Sequence, residues 1–183
     1  MTNKKQNILL IAGTGRNVGK TLFACQLIEN VSCKNIVSIK ISPHFHLLNK
    51  EIEIIKKTKD FVIAKENQKS GTKDSNRMLR AGSKEVYYVQ AKDKMLPEIL
   101  SYFEKKLKPE DPIICESGGL RDFIEPGLFL MINKKNNEYI KPRAFAYEKI
   151  ADKWIEFDGE NFNLSAKNIS FINQQWKLIN QTI

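Results

Sequence analysis

Nine consecutive residues, Gly13-Thr14-Gly15-Arg16-Asn17-Val18-Gly19-Lys20-Thr21, combine glycines, a lysine and a hydroxyl in an order suited to holding phosphate. Gly15 and Gly19 would let the backbone wrap, so that successive N–H groups point inward at phosphate oxygens. A helix starting at Thr21 would add its positive dipole end. Lys20 would reach the β- and γ-phosphates, and the Thr21 hydroxyl would ligate Mg²⁺. The standard spacing, G-x-x-x-x-G-K-[ST], asks for glycine at position 14; this chain has Thr14, with a glycine one place earlier at Gly13. A glycine turn followed by a chance Gly-Lys-Thr is the plain alternative. The apolar strand pattern before the loop and the helical pattern after it argue against chance.

Two further charged residues close apolar runs. Glu116 follows Pro112–Cys115 and precedes Ser117-Gly118-Gly119. A carboxylate at that strand end could hold Mg²⁺ or orient an attacking water, although a surface acid would read the same way. Lys40 closes the run Asn35–Ile41 and could meet a γ-phosphate or an anionic substrate; the alternative is a solvated lysine. His44 and His46 form an H-x-H pair with no evident third or fourth metal ligand, which favours polar loop residues over a metal pair. Asp74 and Arg77 open a helix pattern, where Thr72 or Asp74 would serve as an N-cap. Asn133-Lys134-Lys135-Asn136 has Asn136 where a guanine reader N-K-x-D needs Asp, and is taken as a chance match.

The elements that must position these residues follow from periodicity. Asn7–Ala12 reads as a strand apolar on both faces, as a parallel sheet requires. Thr21–Asn30 has helical spacing, and Asn35–Ile41 is a second strand, giving a βαβ opening. Glu51–Ile55 and Phe61–Ala64 read as two short strands, Asp74–Arg80 as a helix and Val86–Gln90 as a strand. Met95–Leu107 reads as a helix with Pro97 in its first turn, and Pro112–Cys115 and Leu128–Ile132 as strands. After Asn133 short strands are expected at Phe145–Ile150, Trp154–Phe157 and Phe162–Leu164, with a turn at Asp158-Gly159 and a last helix at Gln174–Ile179.

Composition sets the outer limits. The 183 residues are 42% hydrophobic and 28% charged, which suits one domain with a real core and excludes disordered and low-complexity classes. No run approaches the length of a membrane span, and the polar Met1–Asn7 argues against a signal peptide. A net charge of +9 suits anionic partners, but the lysines are spread out, without the arginine–aromatic clusters of a nucleic-acid reader. Cys25, Cys33 and Cys115 form no C-x-x-C pair and read as buried free thiols of a cytoplasmic protein.

Taken together, these residues resemble the MobB family, the nucleotide-binding accessory proteins of molybdopterin-guanine dinucleotide synthesis. The resemblance rests on the loop Gly13–Thr21, on Lys40-Ile41-Ser42-Pro43-His44-Phe45-His46 after strand two, on Lys73-Asp74-Ser75-Asn76-Arg77 with Ala81-Gly82-Ser83, and on the strand ending Cys115-Glu116. It covers roughly residues 7 to 133. Ile41 and Ser42 stand where that family keeps histidines, and Glu116-Ser117-Gly118-Gly119-Leu120 stands where it has Glu-Gly-Phe. The resemblance implies a phosphate-loop NTPase type of α/β fold, a mostly parallel sheet flanked by helices. Residues 1–183 would form one nucleotide-binding domain, with a β-rich extension over 140–183. It implies GTP or ATP with Mg²⁺, weak NTP hydrolysis and an adaptor role beside a partner protein of cofactor biosynthesis; a homodimer is open to such a chain. Gly13, Thr14, Gly15, Arg16, Asn17, Val18, Gly19, Lys20 and Thr21, with Asp74 and Arg77, would bind the nucleotide. Lys20, Lys40 and Glu116 would act in turnover, and Thr21 and Glu116 would hold the metal.

The chain also resembles dethiobiotin synthetase, through G-T-x-x-x-V-G-K-T at 13–21, Lys40 and Glu116-Ser117-Gly118-Gly119. That likeness implies an ATP-dependent ligase or kinase acting on a small carboxylated substrate. Partitioning ATPases of the same class carry an extra loop lysine where this chain has Gly15, which argues against an ATP-sandwich dimer of their kind.

Overall fold

A computed structural model describes residues 4–33, 35–136 and 140–179. One mixed sheet of eight strands organises them: β1 (Lys4–Gly13), β2 (Val37–Ser42), β3 (Glu53–Lys57), β4 (Phe61–Lys65), β5 (Glu85–Ala91), β6 (Ile113–Glu116), β7 (Glu125–Lys134) and β8 (Lys153–Phe157), in the spatial order β3-β4-β5-β2-β6-β1-β7-β8. The pairs β5–β2, β2–β6, β6–β1, β1–β7 and β7–β8 are parallel; only β4 runs against its neighbours. Leu9, Leu10 and Ile11 on the central strand are fully buried, which is why Asn7–Ala12 is apolar without alternation.

Helices cover both faces. On one, α1 (Lys20–Asn30) and α2 (Asp74–Arg80) pack Phe23, Leu27 and Met78 against Leu9, Ile11 and Ile114. On the other, α3 (Leu96–Lys106) brings Ile99 and Phe103 onto Ile39, Tyr87 and Cys115. The structure is α/β with a mostly parallel sheet, and these elements match the expected ones closely up to residue 134.

The C-terminal part departs from expectation in three places. Phe145–Ile150 is not a strand: α4 (Pro142–Tyr147) is a short helix with Pro142 in its first turn, burying Ala144 and Tyr147 three residues apart. Phe145 and Tyr147 mimic strand alternation, but the proline supplies the helix start. Gln174–Ile179 is not a helix: β9 (Ile169–Ile172) and β10 (Gln175–Leu178) form an antiparallel hairpin. Its two-residue turn, Asn173-Gln174, has φ values of 50° and 60°, as a twisted hairpin requires. Phe162–Leu164 forms only an isolated bridge, Phe157 to Phe162, across the expected Asp158-Gly159 turn.

This extension is built into the core. Trp176 is 1% exposed and donates its indole N–H to the Asn7 carbonyl (2.9 Å), closing the floor below β1. No helix among the described residues is long and apolar enough to cross a membrane. The three cysteines are free; Cys25 and Cys115 are buried and Cys33 is half-buried rather than buried. Burial pushes all three thiols up, Cys25 to about 11. Met1–Asn3, the start of the polar stretch Met1–Asn7, and residues 180–183, the end of the extension, lie outside the described residues.

Candidate functional site

The sheet order reverses direction at β1, which has β6 on one side and β7 on the other. A crevice opens there beyond the carboxyl ends of the strands, and the glycine loop 13–19 runs through it from β1 into α1. The left-handed residues of the loop are Asn17 (φ 55°) and Gly19 (φ 94°), Gly19 being the N-cap of α1.

The displaced glycine has a physical reason. A Cβ at Gly13 would stand 2.8 Å from Val18 Cγ2 and 2.9 Å from Lys20 Cδ, so this is the place where a side chain cannot fit. Position 14, by contrast, points its side chain away from the loop. Thr14 is fully buried and its hydroxyl donates to Asn133 Oδ1 (2.8 Å). Its N–H donates to the Ile132 carbonyl (3.0 Å), and its carbonyl accepts from the Lys141 N–H (2.9 Å). Asn133 is thus tied to the loop, although sequence reasoning set its run aside. The signal was its position one residue past Ile132, at the end of the strand that follows Glu116.

Five of the expected side chains meet in one network. Thr21 donates to Glu116 Oε2 (2.7 Å), and Glu116 Oε1 accepts from the Lys40 ammonium. Lys40 also contacts Asp74 Oδ2 (2.9 Å), and Arg77 lies 3.7 Å from Asp74 Oδ1. Glu116 is 2% exposed, so a carboxylate has been carried into the interior with its counterion. Burial works against the charge on Lys40, yet Glu116 and Asp74 hold its ammonium above the usual lysine range. Burial likewise opposes the charge on Asp74, but Lys40, the Thr21 hydroxyl and Arg77 hold it below the usual carboxylate range. Lys20 is the opposite case: burial lowers its pKa, the nearby Lys40 and Lys141 lower it further, and Glu116 resists. Its ammonium donates to the Gly15 carbonyl (2.8 Å).

The segment Lys73–Arg77 divides by role. Ser75 and Asn76 are buried anchors: Ser75 donates to the buried Glu66 (2.7 Å), and Asn76 bridges the Lys73 N–H (3.1 Å) and the Gln68 carbonyl (2.8 Å). Glu66 also accepts from the N–H groups of Asn67 and Gln68, which satisfies its burial. Lys73 takes the N-cap position, not Thr72 or Asp74, and Asp74 becomes the first helical residue, free to face Lys40. Asp74 and Arg77 therefore reach the site because Ser75, Asn76 and Glu66 hold the helix down.

The histidines do other work. His44 Nε2 is 2.9 Å from Arg16, and His46 Nε2 is 2.8 Å from the Tyr88 hydroxyl. No cluster of three or more His, Cys, Asp or Glu side chains suited to a metal occurs among the described residues. A Mg²⁺ ion needs less than that, resting on one or two carboxylates plus phosphate oxygens and water. Thr21, Glu116 and Asp74 are oxygen donors of that kind gathered at one point.

Residues of the extension complete the crevice. Arg143 on α4 pairs with Asp93 (2.6 Å) and lies 3.5 Å from Asp122, while Tyr147 donates to Asp122 (2.7 Å). These contacts dock α4 against the turn after Glu116, where the Ser117 hydroxyl accepts from the Gly119 and Leu120 N–H groups. Sequence reasoning missed Tyr147 because it read a strand over Phe145–Ile150, and missed Lys141 and Arg143 because it assigned no element to the residues just before that strand. Compared with family models, with curated proteins and with solved structures, the chain matches none.

Proposed function

We propose that the chain binds a nucleoside triphosphate with Mg²⁺ along Gly13–Thr21 and hydrolyses it slowly, as a MobB-like phosphate-loop protein. In that role it prefers GTP and acts as an adaptor in attaching a nucleotide to the molybdenum cofactor. The observation that supports this most is the meeting of Lys20, Thr21, Lys40, Asp74 and Glu116 at the carboxyl edge of the sheet. A loop carrying Arg16 and Lys20, with the buried Glu116 and the partly exposed Asp74 behind it, is arranged for a polyanion and a divalent cation together.

The roles follow from the contacts. The ammonium of Lys20, now on the Gly15 carbonyl, would turn to the β- and γ-phosphates, where a dianion relieves the crowding by Lys40 and Lys141. The Thr21 hydroxyl would offer an oxygen lone pair to Mg²⁺, with Glu116 and Asp74 taking up its waters. Bound Mg²⁺ would neutralise charge developing on the phosphates. Both oxygens of Glu116 are already engaged, by Lys40 and by Thr21, so it is poorly placed to take a proton from water. That suits slow turnover and long retention of the nucleotide.

Thermal denaturation with each nucleotide tests the reading. Mg²⁺ with GTP should raise Tm more than Mg²⁺ with ATP, and the reverse order would favour a ligase of the dethiobiotin-synthetase kind. No shift of even a degree at millimolar nucleotide would remove the phosphate-loop assignment. A second expectation concerns α2. Arg77→Ala should leave the fold in place, because a half-exposed helix residue typically contributes within about 0.5 kcal/mol. Nucleotide affinity, measured by calorimetry, should fall severalfold. A large loss of stability with unchanged affinity would make Asp74 and Arg77 structural.

A further inference from the structure

The crevice holds two adjoining spaces. The first, about 390 Å³, runs from Lys20 and Thr21 past Asp74 and Arg77 to Phe157. The second, about 260 Å³, lies between the loop, the end of β2, Glu116–Gly119 and α4. Arg16, Lys20, Lys40 and Glu116 form their shared wall. A triphosphate laid along the loop amides, with its metal beside Thr21, uses the first space. The second is left beside the terminal phosphate.

Its lining is distinctive. Five cationic side chains, Arg16, Lys20, Lys40, Lys141 and Arg143, face it against two carboxylates, Asp93 and Glu116. Both carboxylates are already used, Asp93 by Arg143 and Glu116 by Lys40 and Thr21. Arg16, Lys20 and Lys141 have no carboxylate partner among the described residues. With a nucleotide engaging Lys20, Arg16 and Lys141 remain as cations with no carboxylate partner among the described residues, and His44 holds the Arg16 guanidinium in place. Between them lie Ile41, Ala91, Met131 and Ala144, an apolar floor. A cleft of about 260 Å³ suits a small molecule.

We propose that this cleft binds a second ligand, a small organic anion whose oxyanion end, carboxylate or phosphate monoester, is held by Lys141 and Arg16 beside the nucleotide's terminal phosphate. The proposal rests on the nucleotide reading above. It places recognition of the second ligand on the C-terminal extension, since Lys141 comes from the segment that also docks α4. The backbone N–H of Lys141 holds the Thr14 carbonyl, so a ligand on its side chain is linked to the shape of the loop.

The test uses the full chain loaded with Mg²⁺ and a non-hydrolysable GTP or ATP analogue, so that the loop is filled. Succinate and glycerol phosphate are then titrated separately to about 20 mM by calorimetry, against wild type and Lys141→Ala. Saturable binding of either probe is expected, weakened about tenfold or more in Lys141→Ala through loss of a charge-assisted bond. The nucleotide should still raise Tm in that variant, by less than in wild type because one cation near Lys20 is gone, while the backbone contact to Thr14 persists. Binding of succinate alone identifies the carboxylate class, and binding of glycerol phosphate alone the phosphate class. If neither probe binds while the nucleotide shift is intact, or if both bind Lys141→Ala as well as wild type, the second site is wrong and the nucleotide reading survives. If wild type shows no nucleotide shift, the nucleotide reading fails and this proposal falls with it.

Discussion

Replacing Lys20 with alanine is expected to abolish most of the stabilisation that Mg²⁺ with a triphosphate confers on the wild-type chain. A ligand that binds only the folded state adds RT ln(1 + [L]/Kd), about 2.7 kcal/mol at a hundred times Kd. For a chain of this length each kcal/mol moves Tm by about 2–4 °C, so wild type should shift by roughly 5–11 °C. The Lys20 ammonium lies on the loop itself, at the Gly15 carbonyl, and without it the loop amides lose the cation expected to reach the β- and γ-phosphates. The unliganded variant should change much less. It loses one hydrogen bond to the Gly15 carbonyl, worth about 1 kcal/mol, but it also relieves the crowding of Lys20 by Lys40 and Lys141. Differential scanning fluorimetry with and without nucleotide separates the two effects, and EDTA should reduce the wild-type shift if Thr21 acts through the metal as proposed. An unchanged nucleotide shift in Lys20→Ala would show that Lys20 is only a crowded structural cation.

Glu116→Gln should keep nucleotide affinity within a few-fold while cutting turnover by about ten- to a thousand-fold. A neutral amide keeps the shape of the side chain but cannot carry the charge that would take up the waters of Mg²⁺ and that fixes Lys40. The structure adds a second consequence. Glu116 is the buried counterion of Lys40, so the variant leaves that ammonium with Asp74 as its remaining carboxylate. Removing one partner of a fully buried pair costs about 3–5 kcal/mol. Here Asp74 offsets part of that, and a loss of about 1–3 kcal/mol in the unliganded protein is expected. Turnover should be measured below the lowered Tm, by single-turnover hydrolysis. A wild-type rate, with only the stability loss, would leave Glu116 as the anchor of Lys40 and nothing more.

The site was partly legible because some of its signals are local. A loop that must turn between a buried strand and a helix needs glycines, a helix start and a strand end in one short stretch, and residues 7 to 30 carry all three. Lys40 and Glu116 were visible as charges ending apolar runs, since a strand in a parallel sheet is buried along its length and first tolerates charge at its end. Asp74 and Arg77 were harder. Alone they read as an ordinary first helical turn, and their entry into the site depends on Ser75, Asn76 and Glu66, whose bonds span up to nine residues. Asn133 was set aside because its neighbour Asn136 fails the guanine pattern. Its bond to Thr14 joins residues 119 apart in sequence.

By itself the sequence determined the βαβ opening, the buried strands up to residue 134, the glycine loop and the identity of the charged residues at the strand ends. These follow from periodicity and backbone sterics, which act within a few residues. Only the tertiary structure decided that Glu116 is neutralised by Lys40, that Asp74 joins them, and that Thr14 can replace a loop glycine because Gly13 takes the crowded position. It alone brought Lys141 to the crevice, through its backbone bond to Thr14, and Arg143, by making a helix of a segment whose aromatic spacing imitates a strand. Charge pairing and steric crowding between distant segments depend on which strands become neighbours. That order, β6 and β7 flanking β1, is set by the packing of the whole sheet, not by any local stretch of it.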